Sequence, residues 1–275
     1  MDNLLTLKDK VIVVTGAAGL LGFEYCKAII IAKGTPILID INEKLLKGKV
    51  AELKNEFPKC EFDSYIVDIT NEKNVKRNSD EIISKYRKID GLINNAANNP
   101  KIEDNDKINF SRLENFNLDV WHNDLNIGLL GSFLCVKHYG FEISKNPKGG
   151  SIINVSSDLG VNAPNQNLYK KEGVSEDLQS VKPVTYSVIK HGINGLTKYL
   201  STYWADKNVR CNSICPGGVF NYQPEEFLEK VSKLIPLGRM AKKEELNGII
   251  IYLLSDASTY VNGSIINIDG GRTSW

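Results

Sequence analysis

The stretch Thr15-Gly16-Ala17-Ala18-Gly19-Leu20-Leu21-Gly22 follows a short apolar run, Val11–Thr15, that has the composition of a β-strand. A helix-like pattern begins within the stretch and continues to about residue 33. Glycines between a strand and a helix allow a tight turn, and they let the backbone approach a pyrophosphate at the positive end of the helix. The stretch therefore predicts a dinucleotide-binding turn, although a glycine-rich turn alone is a weak signal.

Outward from this turn, strand-like apolar runs alternate with longer helix-like segments. Further strands are predicted at residues 36–41, 61–67, 91–97, 151–155, 209–214 and 264–268, and further helices at residues 43–56, 72–87, 121–145, 186–206 and 242–254. This alternation requires right-handed crossovers and a parallel sheet that is covered on both faces. We expect an α/β protein with one doubly wound, seven-stranded parallel sheet of the Rossmann type, in a single domain over residues 1–275.

The composition excludes several classes of function. The chain has 275 residues, of which 42% are hydrophobic and 24% charged, as in ordinary globular proteins. Its net charge of +1 creates no field that would attract nucleic acid or an acidic membrane. No apolar run approaches the roughly 20 residues of a membrane span, and residues 1–10 do not resemble a signal peptide. We expect a cytoplasmic protein with a small-molecule substrate and with neither nucleic-acid nor membrane partners.

Metal chemistry is also not expected. The cysteines lie in apolar stretches without the spacing of a metal site, and they are interpreted as reduced core residues: Cys26, Cys60, Cys135, Cys211 and Cys215. The three histidines share no short motif. We therefore predict no metal site.

Asp40 ends the second predicted strand. An acidic residue at this position can accept hydrogen bonds from the ribose hydroxyls of a dinucleotide, and it repels the 2′-phosphate of NADP. The alternative is a strand-end turn residue or a helix cap before Asn42. With the glycines present, Asp40 favours NAD over NADP as the cofactor.

Tyr186 and Lys190 are four residues apart and share one face of a predicted helix. A phenol has a pKa of about 10, and a nearby ammonium lowers that pKa toward the neutral range where the group can act as a base. The pair follows a buried strand that ends in the hydroxyls of Ser156 and Ser157, and Asn126 interrupts an otherwise apolar helix. Singly, these features also fit a surface pair and a structural asparagine, but together they indicate a proton-transfer site.

In this order, the motifs resemble those of the short-chain dehydrogenase/reductase family, in its compact single-domain branch, over nearly the whole chain. The resemblance rests on the glycine-rich turn, Asp68, Asn94-Asn95-Ala96-Ala97, Asn126, Ser157, Tyr186, Lys190, Pro216-Gly217-Gly218 and Asp269-Gly270-Gly271. It implies that Tyr186 is the acid/base and that Ser157 polarises the substrate oxygen. It also implies that Lys190 binds the nicotinamide ribose and lowers the pKa of the tyrosine, and that Asn126 holds a water in a proton relay.

The resemblance further implies a set of cofactor contacts. Asp68 and Ile69 would flank the adenine, and Asn94 the adenosine ribose. The full implied set for NAD is Gly16, Gly19, Leu20, Leu21, Gly22, Asp40, Asp68, Ile69, Asn94, Ala96, Tyr186, Lys190, Pro216, Gly217, Val219 and Asn221.

Three positions depart from the family pattern. Leu20 gives the turn the glycine spacing of the extended branch, which contains sugar epimerases and dehydratases, but the chain is too short for that branch's substrate domain. Asn221 stands where a threonine often contacts the carboxamide, and Ala97 replaces a usual glycine. We retain the compact branch because the chain closes on Asp269-Gly270-Gly271.

Two polar stretches interrupt the alternation, at residues 98–117 and 162–183, and the second widens the separation of Ser157 and Tyr186. Loops at the carboxyl ends of parallel strands border the ligand site, so we expect both insertions to form the substrate pocket. A surface loop without a task is the alternative for residues 162–183. The wide separation and the segments PGGVFNYQP, PLGRM and DGGRTSW resemble a subgroup of bacterial flagellin-modification and surface-glycan reductases, the flagellin modification protein A type.

We therefore predict an NAD-preferring oxidoreductase that interconverts a secondary alcohol and a ketone, on a sugar or nucleotide-sugar. The alternatives are an epimerase or dehydratase that recycles its NAD internally, and a catalytically silent NAD-binding regulator. The family resemblance also implies a homodimer or homotetramer, in which the helices at residues 121–145 and 186–206 pair across a two-fold axis and the C-terminal strand pairs across another.

Overall fold

The computed structural model describes residues 4–98 and 111–275. The strands of these residues are β1 (Val11–Thr15), β2 (Thr35–Asp40), β3 (Asp63–Ile66), β4 (Gly91–Asn94), β5 (Gly150–Val155), β6 (Val209–Pro216) and β7 (Ile265–Ile268). They form one seven-stranded sheet in the order β3-β2-β1-β4-β5-β6-β7, and every neighbouring pair is parallel. The expected doubly wound sheet is confirmed, and its strand order reverses between β1 and β4, where ligands bind in such sheets.

Helices cover both faces of the sheet. They are α1 (Leu20–Ile31), α2 (Glu43–Glu56), α3 (Glu72–Tyr86), α4 (Leu118–Leu125), α5 (Gly131–Cys135), α6 (Phe141–Ile143), α7 (Val184–Tyr203), α8 (Glu225–Ser232) and α9 (Asn247–Leu254). Two π-helical segments, Asn126–Leu130 and Val136–Gly140, join α4, α5 and α6. The helix predicted at residues 121–145 is therefore continuous, but it changes its hydrogen-bond pattern twice.

Asparagines define where several helices begin. The side chains of Asn42, Asn71 and Asn117 each accept a hydrogen bond from a backbone N–H in the first turn of α2, α3 and α4. Such caps satisfy N–H groups that have no partner within the helix. These caps fix the residues at which α2, α3 and α4 begin, after the carboxyl ends of the preceding strands.

Two sequence-based interpretations were wrong or incomplete. Cys60 is exposed, because it lies in the turn after α2 rather than in a packed element, whereas the other cysteines are buried. Helix α8 was not predicted, since it is short and its first turn is acidic, yet Phe227, Leu228 and Val231 give it an apolar face. All five cysteines are free thiols.

The core is divided into three apolar clusters. Two large clusters lie against the sheet. The third is small and lies apart from them; it consists of Leu168 from the 162–183 segment with Val231, Ile235 and Met240, and we call it the outer cluster. Through the outer cluster, the insertion packs against α8 and the residues that follow it.

Among the described residues, no helix combines the length and apolarity needed to cross a membrane. The same residues contain no group of three or more His, Cys, Asp or Glu side chains that could hold a metal ion.

Candidate functional site

The glycine-rich turn is held tightly between the ends of β1 and β4. Gly16 has a φ of +63°, and a Cβ there would lie 2.8 Å from the Cα of Ala96. A Cβ on Gly22 would lie 2.2 Å from the carbonyl oxygen of Gly16. The amide of Asn95 donates to the carbonyl oxygens of Thr15 and Gly16 at 3.0 and 3.2 Å. The chain thus leaves no room for side chains here, as a backbone cradle for a pyrophosphate requires.

Asp40 lies between this turn and the start of α2. Its Oδ2 accepts a hydrogen bond from the N–H of Ala18 at 2.9 Å, and its Oδ1 accepts one from the N–H of Asn42 at 2.9 Å. Asp40 therefore also acts as a turn residue at the end of β2, which was the alternative interpretation of this residue. The same contacts fix the carboxylate at the edge of the glycine-rich turn, where the predicted ribose contact would be made.

The remaining residues predicted for the adenosine half lie at the ends of β3 and β4. Asp68 accepts two hydrogen bonds from Thr70, and Ile69 is buried. Asn94 is also buried, and its amide donates to Oδ1 of Asn154 at 2.9 Å inside the sheet. The Oδ1 of Asn94 has no partner among the described residues. Its predicted contact with the adenosine ribose stays a prediction.

A cavity of about 420 Å³ opens at the carboxyl ends of β5 and β6, and we call it the catalytic cavity. It brings together these predicted site residues: Leu21, Ser157, Tyr186, Lys190, Pro216, Gly217 and Val219. Asn221 lies beyond it, exposed, in the turn after β6. Residues far apart in the sequence thus converge at one end of the sheet.

The two hydroxyls after β5 have different partners. Ser156 Oγ donates to the backbone carbonyl of Lys190 at 2.8 Å and so ties β5 to α7. Ser157 Oγ donates to Oδ1 of Asp158 at 2.8 Å and accepts the N–H of Leu159 at 3.2 Å. The nearby hydroxyl of Ser157 lowers the pKa of the Tyr186 phenol. The second serine is therefore the one that acts on the tyrosine.

Lys190 is buried behind Tyr186. Its Nζ donates to the carbonyl oxygen of Val155 at 2.8 Å and lies 5.7 Å from the centre of the Tyr186 ring. Burial, together with the nearby charge of Lys182, lowers the pKa of Lys190 to about 8. Lys190 is thereby held at the end of β5.

The pKa of Tyr186 differs from the sequence-based expectation. Burial raises it above its ordinary value of 10.0, the nearby hydroxyl of Ser157 lowers it, and the charge of Asp158 raises it. The expected lowering by Lys190 is not among these effects, and desolvation of the phenolate is the largest of them.

Asn126 begins the first π-helical segment, and its side chain is exposed. The segment packs closely on α7, since a Cβ on Gly128 would lie 2.5 Å from the side chain of Ile189. Buried Asp124 accepts a hydrogen bond from Thr185 Oγ1 at 2.6 Å and fixes the same two helices one turn earlier. Local π-helix is frequent at functional sites. Here it places Asn126 midway in sequence between Asp124 and Gly128, two residues that contact α7.

The catalytic cavity also contains Asp158 and Arg272, which the sequence analysis did not single out, and Tyr169 and Lys182 from the insertion that it expected to border the substrate. Arg272 forms an ion pair with Asp158. The Nζ of Lys182 lies 3.7 Å from the centre of the Tyr186 ring. The local sequence carries no signal for these contacts, because the pairs are formed only by the tertiary fold.

The 162–183 insertion borders the catalytic cavity through Pro164, Asn165, Leu168, Tyr169 and Lys182. It contains two short 3₁₀ turns, Gln166–Tyr169 and Glu176–Leu178. Of the other insertion, residues 99–110 lie outside the described part of the chain. Its described C-terminal end contacts the 162–183 insertion, since the N–H of Val181 donates to Ser111 Oγ at 3.0 Å.

Comparisons with known proteins agree with this geometry. A family model described as enoyl-(acyl carrier protein) reductase matches residues 16–273. The post-translational flagellin modification protein A of Campylobacter coli is 36% identical over 96% of this chain and 98% of its own length. A 3-oxoacyl-(acyl-carrier-protein) reductase of Thermotoga maritima is 30% identical over 97% of this chain and 99% of its own. The crystal structure of a short-chain type dehydrogenase/reductase from Mycobacterium marinum is 25% identical, with a TM-score of 0.81, and the alignment covers 98% of this chain and 97% of that one.

Proposed function

Because the chain belongs to the short-chain dehydrogenase/reductase family of NAD(P)-dependent oxidoreductases, we propose that it interconverts a secondary alcohol and a ketone with Tyr186 as acid/base. The observation that carries the proposal is that Ser157 and Tyr186 line the same catalytic cavity. Two neighbouring hydroxyls can hold one substrate oxygen between them, one as proton donor and the other as a polarising partner.

The roles of the site residues follow from this arrangement. When bound, a nicotinamide would supply the hydride for ketone reduction or accept it for alcohol oxidation, and the chain would correspondingly give or take the proton. Tyr186 transfers that proton, and Ser157 orients the oxygen. Lys190, held by the carbonyl of Val155, places a positive charge near the nicotinamide ribose. Asn126, at the π-helical segment, holds a water that connects the site to solvent.

We propose NAD as the preferred cofactor. The backbone cradle at Gly16 and Gly22 fits a pyrophosphate, and Asp40 is fixed at its edge by two backbone N–H groups. A carboxylate in that position can accept hydrogen bonds from both ribose hydroxyls, but it repels a 2′-phosphate at short range. Asp68, Ile69 and the other predicted adenosine contacts belong to the same proposal.

We propose a sugar or nucleotide-sugar substrate, in bacterial flagellin or surface-glycan modification. The support is the name of the Campylobacter coli relative and the polar wall that Asn165, Tyr169 and Lys182 give the catalytic cavity. Hydroxyl-rich substrates suit such a wall, whereas a fatty acyl chain would leave these groups without partners.

One assay separates this proposal from its alternatives. Purified protein, NAD and a panel of sugars, sugar phosphates and nucleotide-sugars are followed at the absorbance of NADH. An oxidoreductase produces NADH in step with the ketone. An epimerase or dehydratase converts substrate without net NADH, and a silent regulator converts nothing while it still binds NAD.

We also propose a cytoplasmic homodimer or homotetramer. The two helices expected at a two-fold axis carry large exposed apolar side chains, namely Phe133, Phe141, Tyr199 and Tyr203. Burial of such side chains against a second copy would stabilise a dimer. Light scattering at micromolar concentration measures the assembly directly, and a stable monomer would contradict it.

A further inference from the structure

We propose that the substrate carries an anionic group, a carboxylate or a phosphate, close to its reacting carbon, and that Lys182 and Arg272 bind this group in the catalytic cavity. The inference deepens the proposed function and rests on it, since it concerns the substrate of the same site.

The first argument is the charge balance of the catalytic cavity. Its described lining contains three cationic side chains, Lys182, Lys190 and Arg272, and one carboxylate, that of Asp158. Asp158 is already engaged, because it binds Arg272 and accepts a hydrogen bond from Ser157 Oγ. The cavity therefore presents an excess of positive charge that the described side chains do not neutralise.

The second argument is the position of Lys182. Its backbone N–H donates to Oε1 of Gln166 at 2.9 Å, so the residue is fixed within the insertion. Its Nζ forms no ion pair or hydrogen bond with any described residue and lies over the ring of Tyr186 at 3.7 Å from the ring centre. Nearby exposed lysines are paired instead: Lys170 with Glu176 and Lys230 with Glu226.

Burial of an unpaired ammonium is unfavourable, and the pKa of Lys182 shows it: desolvation lowers that pKa to about 8. The nearby charge of Asp158 raises this pKa, but its effect is smaller than that of desolvation. A bound anion would supply the missing counter-charge and the missing hydrogen-bond acceptor.

The third argument is the place of Arg272. It lines the same cavity and is largely buried, yet a guanidinium has five N–H donors and the carboxylate of Asp158 uses only some of them. Asp158 lies near both Lys182 and Arg272, as its effect on the pKa of Lys182 and its ion pair with Arg272 show. An anionic group bound between them would lie beside Tyr186.

There is one competing explanation within the chain: Lys182 could act on the phenol of Tyr186 alone, as a positive charge that stabilises phenolate. That role would be independent of the charge of the substrate. Removal of Lys182 would then slow neutral and anionic substrates to the same extent.

The test uses three related probes with NAD: neutral D-sorbitol, D-gluconate with a carboxylate at C1, and D-sorbitol 6-phosphate with a phosphate at C6. We expect at least one anionic probe to have the higher kcat/KM with the unaltered protein. Lys182→Met should lower kcat/KM for that probe by about 10- to 100-fold, mainly through KM, as expected for loss of a charge-assisted hydrogen bond. The loss with sorbitol should be several-fold smaller than the loss with that anionic probe.

Two further variants act as controls. Lys182→Arg should restore much of the affinity, because it retains the charge. Lys170→Met should have no effect, because Lys170 is exposed and paired with Glu176. Equal losses with neutral and anionic probes, or a preference for sorbitol, would overturn the proposal. A preference for gluconate identifies a carboxylate, and a preference for the phosphate probe identifies a phosphate.

A second readout does not depend on turnover, so it separates this proposal from failure of the proposed function. Acetylation of individual lysines by N-hydroxysuccinimide acetate is followed by peptide mass spectrometry at pH 8, with NAD present. Gluconate or inorganic phosphate should slow acetylation of Lys182 several-fold and leave Lys170 unchanged, whereas sorbitol should not. If neither anion protects Lys182, the anion site does not exist, whatever the activity of the protein.

Discussion

The guanidinium of Arg272 binds the carboxylate of Asp158, and Asp158 in turn accepts a hydrogen bond from Ser157 Oγ at 2.8 Å. Both members of the ion pair are largely buried, and they come from opposite ends of the C-terminal half of the chain. The last residues of the chain therefore determine the surroundings of the hydroxyl that we propose as the polarising group.

Loss of Arg272 should destabilise the fold. Arg272→Met leaves the buried carboxylate of Asp158 without its partner, which costs about 3–5 kcal/mol in comparable pairs. Urea unfolding should show this loss, and Asp158→Asn in the same chain should recover most of it because the unpaired charge is then removed. Simple addition of the two single effects would show that the pair is not coupled.

Replacement of Tyr186 by Phe should remove the proton donor and leave the packing intact. General acid–base catalysis contributes about 10²–10⁴-fold, so kcat should fall by that factor. The affinity for NAD, measured by titration of the protein's fluorescence, should stay unchanged. Turnover near that of the unaltered protein would rule out Tyr186 as the acid/base.

Asp40→Ala should reduce the preference for NAD. The change removes the acceptor for the ribose hydroxyls and the charge that repels a 2′-phosphate, so NAD should bind more weakly and NADP more strongly. Because the carboxylate also binds the N–H groups of Ala18 and Asn42, Asp40→Asn is the better-matched control for the turn. Tighter binding of NADP than of NAD by the unaltered protein would contradict the assignment.

Lys182→Met should stabilise the protein at pH 7. The pKa of Lys182 falls from 10.5 to about 8 on folding, so below pH 8 the folded chain holds a desolvated charge. The resulting loss of folding free energy is fully present below pH 8. It disappears as the pH rises toward 10.5, because between these values the unfolded chain holds a proton on Lys182 that the folded chain has released. We expect a gain of about 1–3 kcal/mol at pH 7, after allowance for partial exposure, that shrinks by pH 10.

Lys170→Met is the matched control for this measurement, since the side chain of Lys170 is exposed. It should leave the free energy of unfolding unchanged at both pH values. A Lys182→Met protein that is less stable at pH 7 would mean that the ammonium has a partner that stabilises it.

Replacement of residues 165–179 by a tight turn should impair substrate binding. The segment borders the catalytic cavity but supplies none of the predicted cofactor contacts, so KM should rise or turnover be lost while the affinity for NAD is retained. Leu168→Ala is a milder form of the change, and Val174→Ala, at an exposed position, is its control. Unchanged kinetics in the shortened protein would support the surface-loop alternative.

The sheet was predictable because its strands are short apolar runs, and the glycine-rich turn because its constraint is local: Gly16 has no room for a Cβ. Tyr186 and Lys190 were predictable from helical spacing. The contacts of Lys182 and Arg272 were not, because no local pattern signals which distant charge each will meet. In the sequence, Lys182 is one of several charged residues whose charges sum to zero within the insertion. Only the folded structure shows that Lys182 lies in the catalytic cavity, away from the acidic residues of the insertion.

The pKa of Tyr186 shows a second limit. Spacing places Lys190 near the tyrosine, but the direction of the pKa shift depends on how deeply the phenol is buried and on where the ammonium points. The carbonyl of Val155 holds Lys190, and only the packed structure shows this contact.

The separation of the outer cluster from the two large ones has a consequence for motion. Leu168, Val231, Ile235 and Met240 hold the insertion and α8 together, but they share no cluster with the sheet. A unit with its own small core can open locally at a lower free energy than global unfolding requires. The insertion and α8 should therefore exchange their amide hydrogens together and earlier than the strands, as one cooperative unit. Such an opening would admit large substrates to the cavity without disturbing the cofactor half of the molecule.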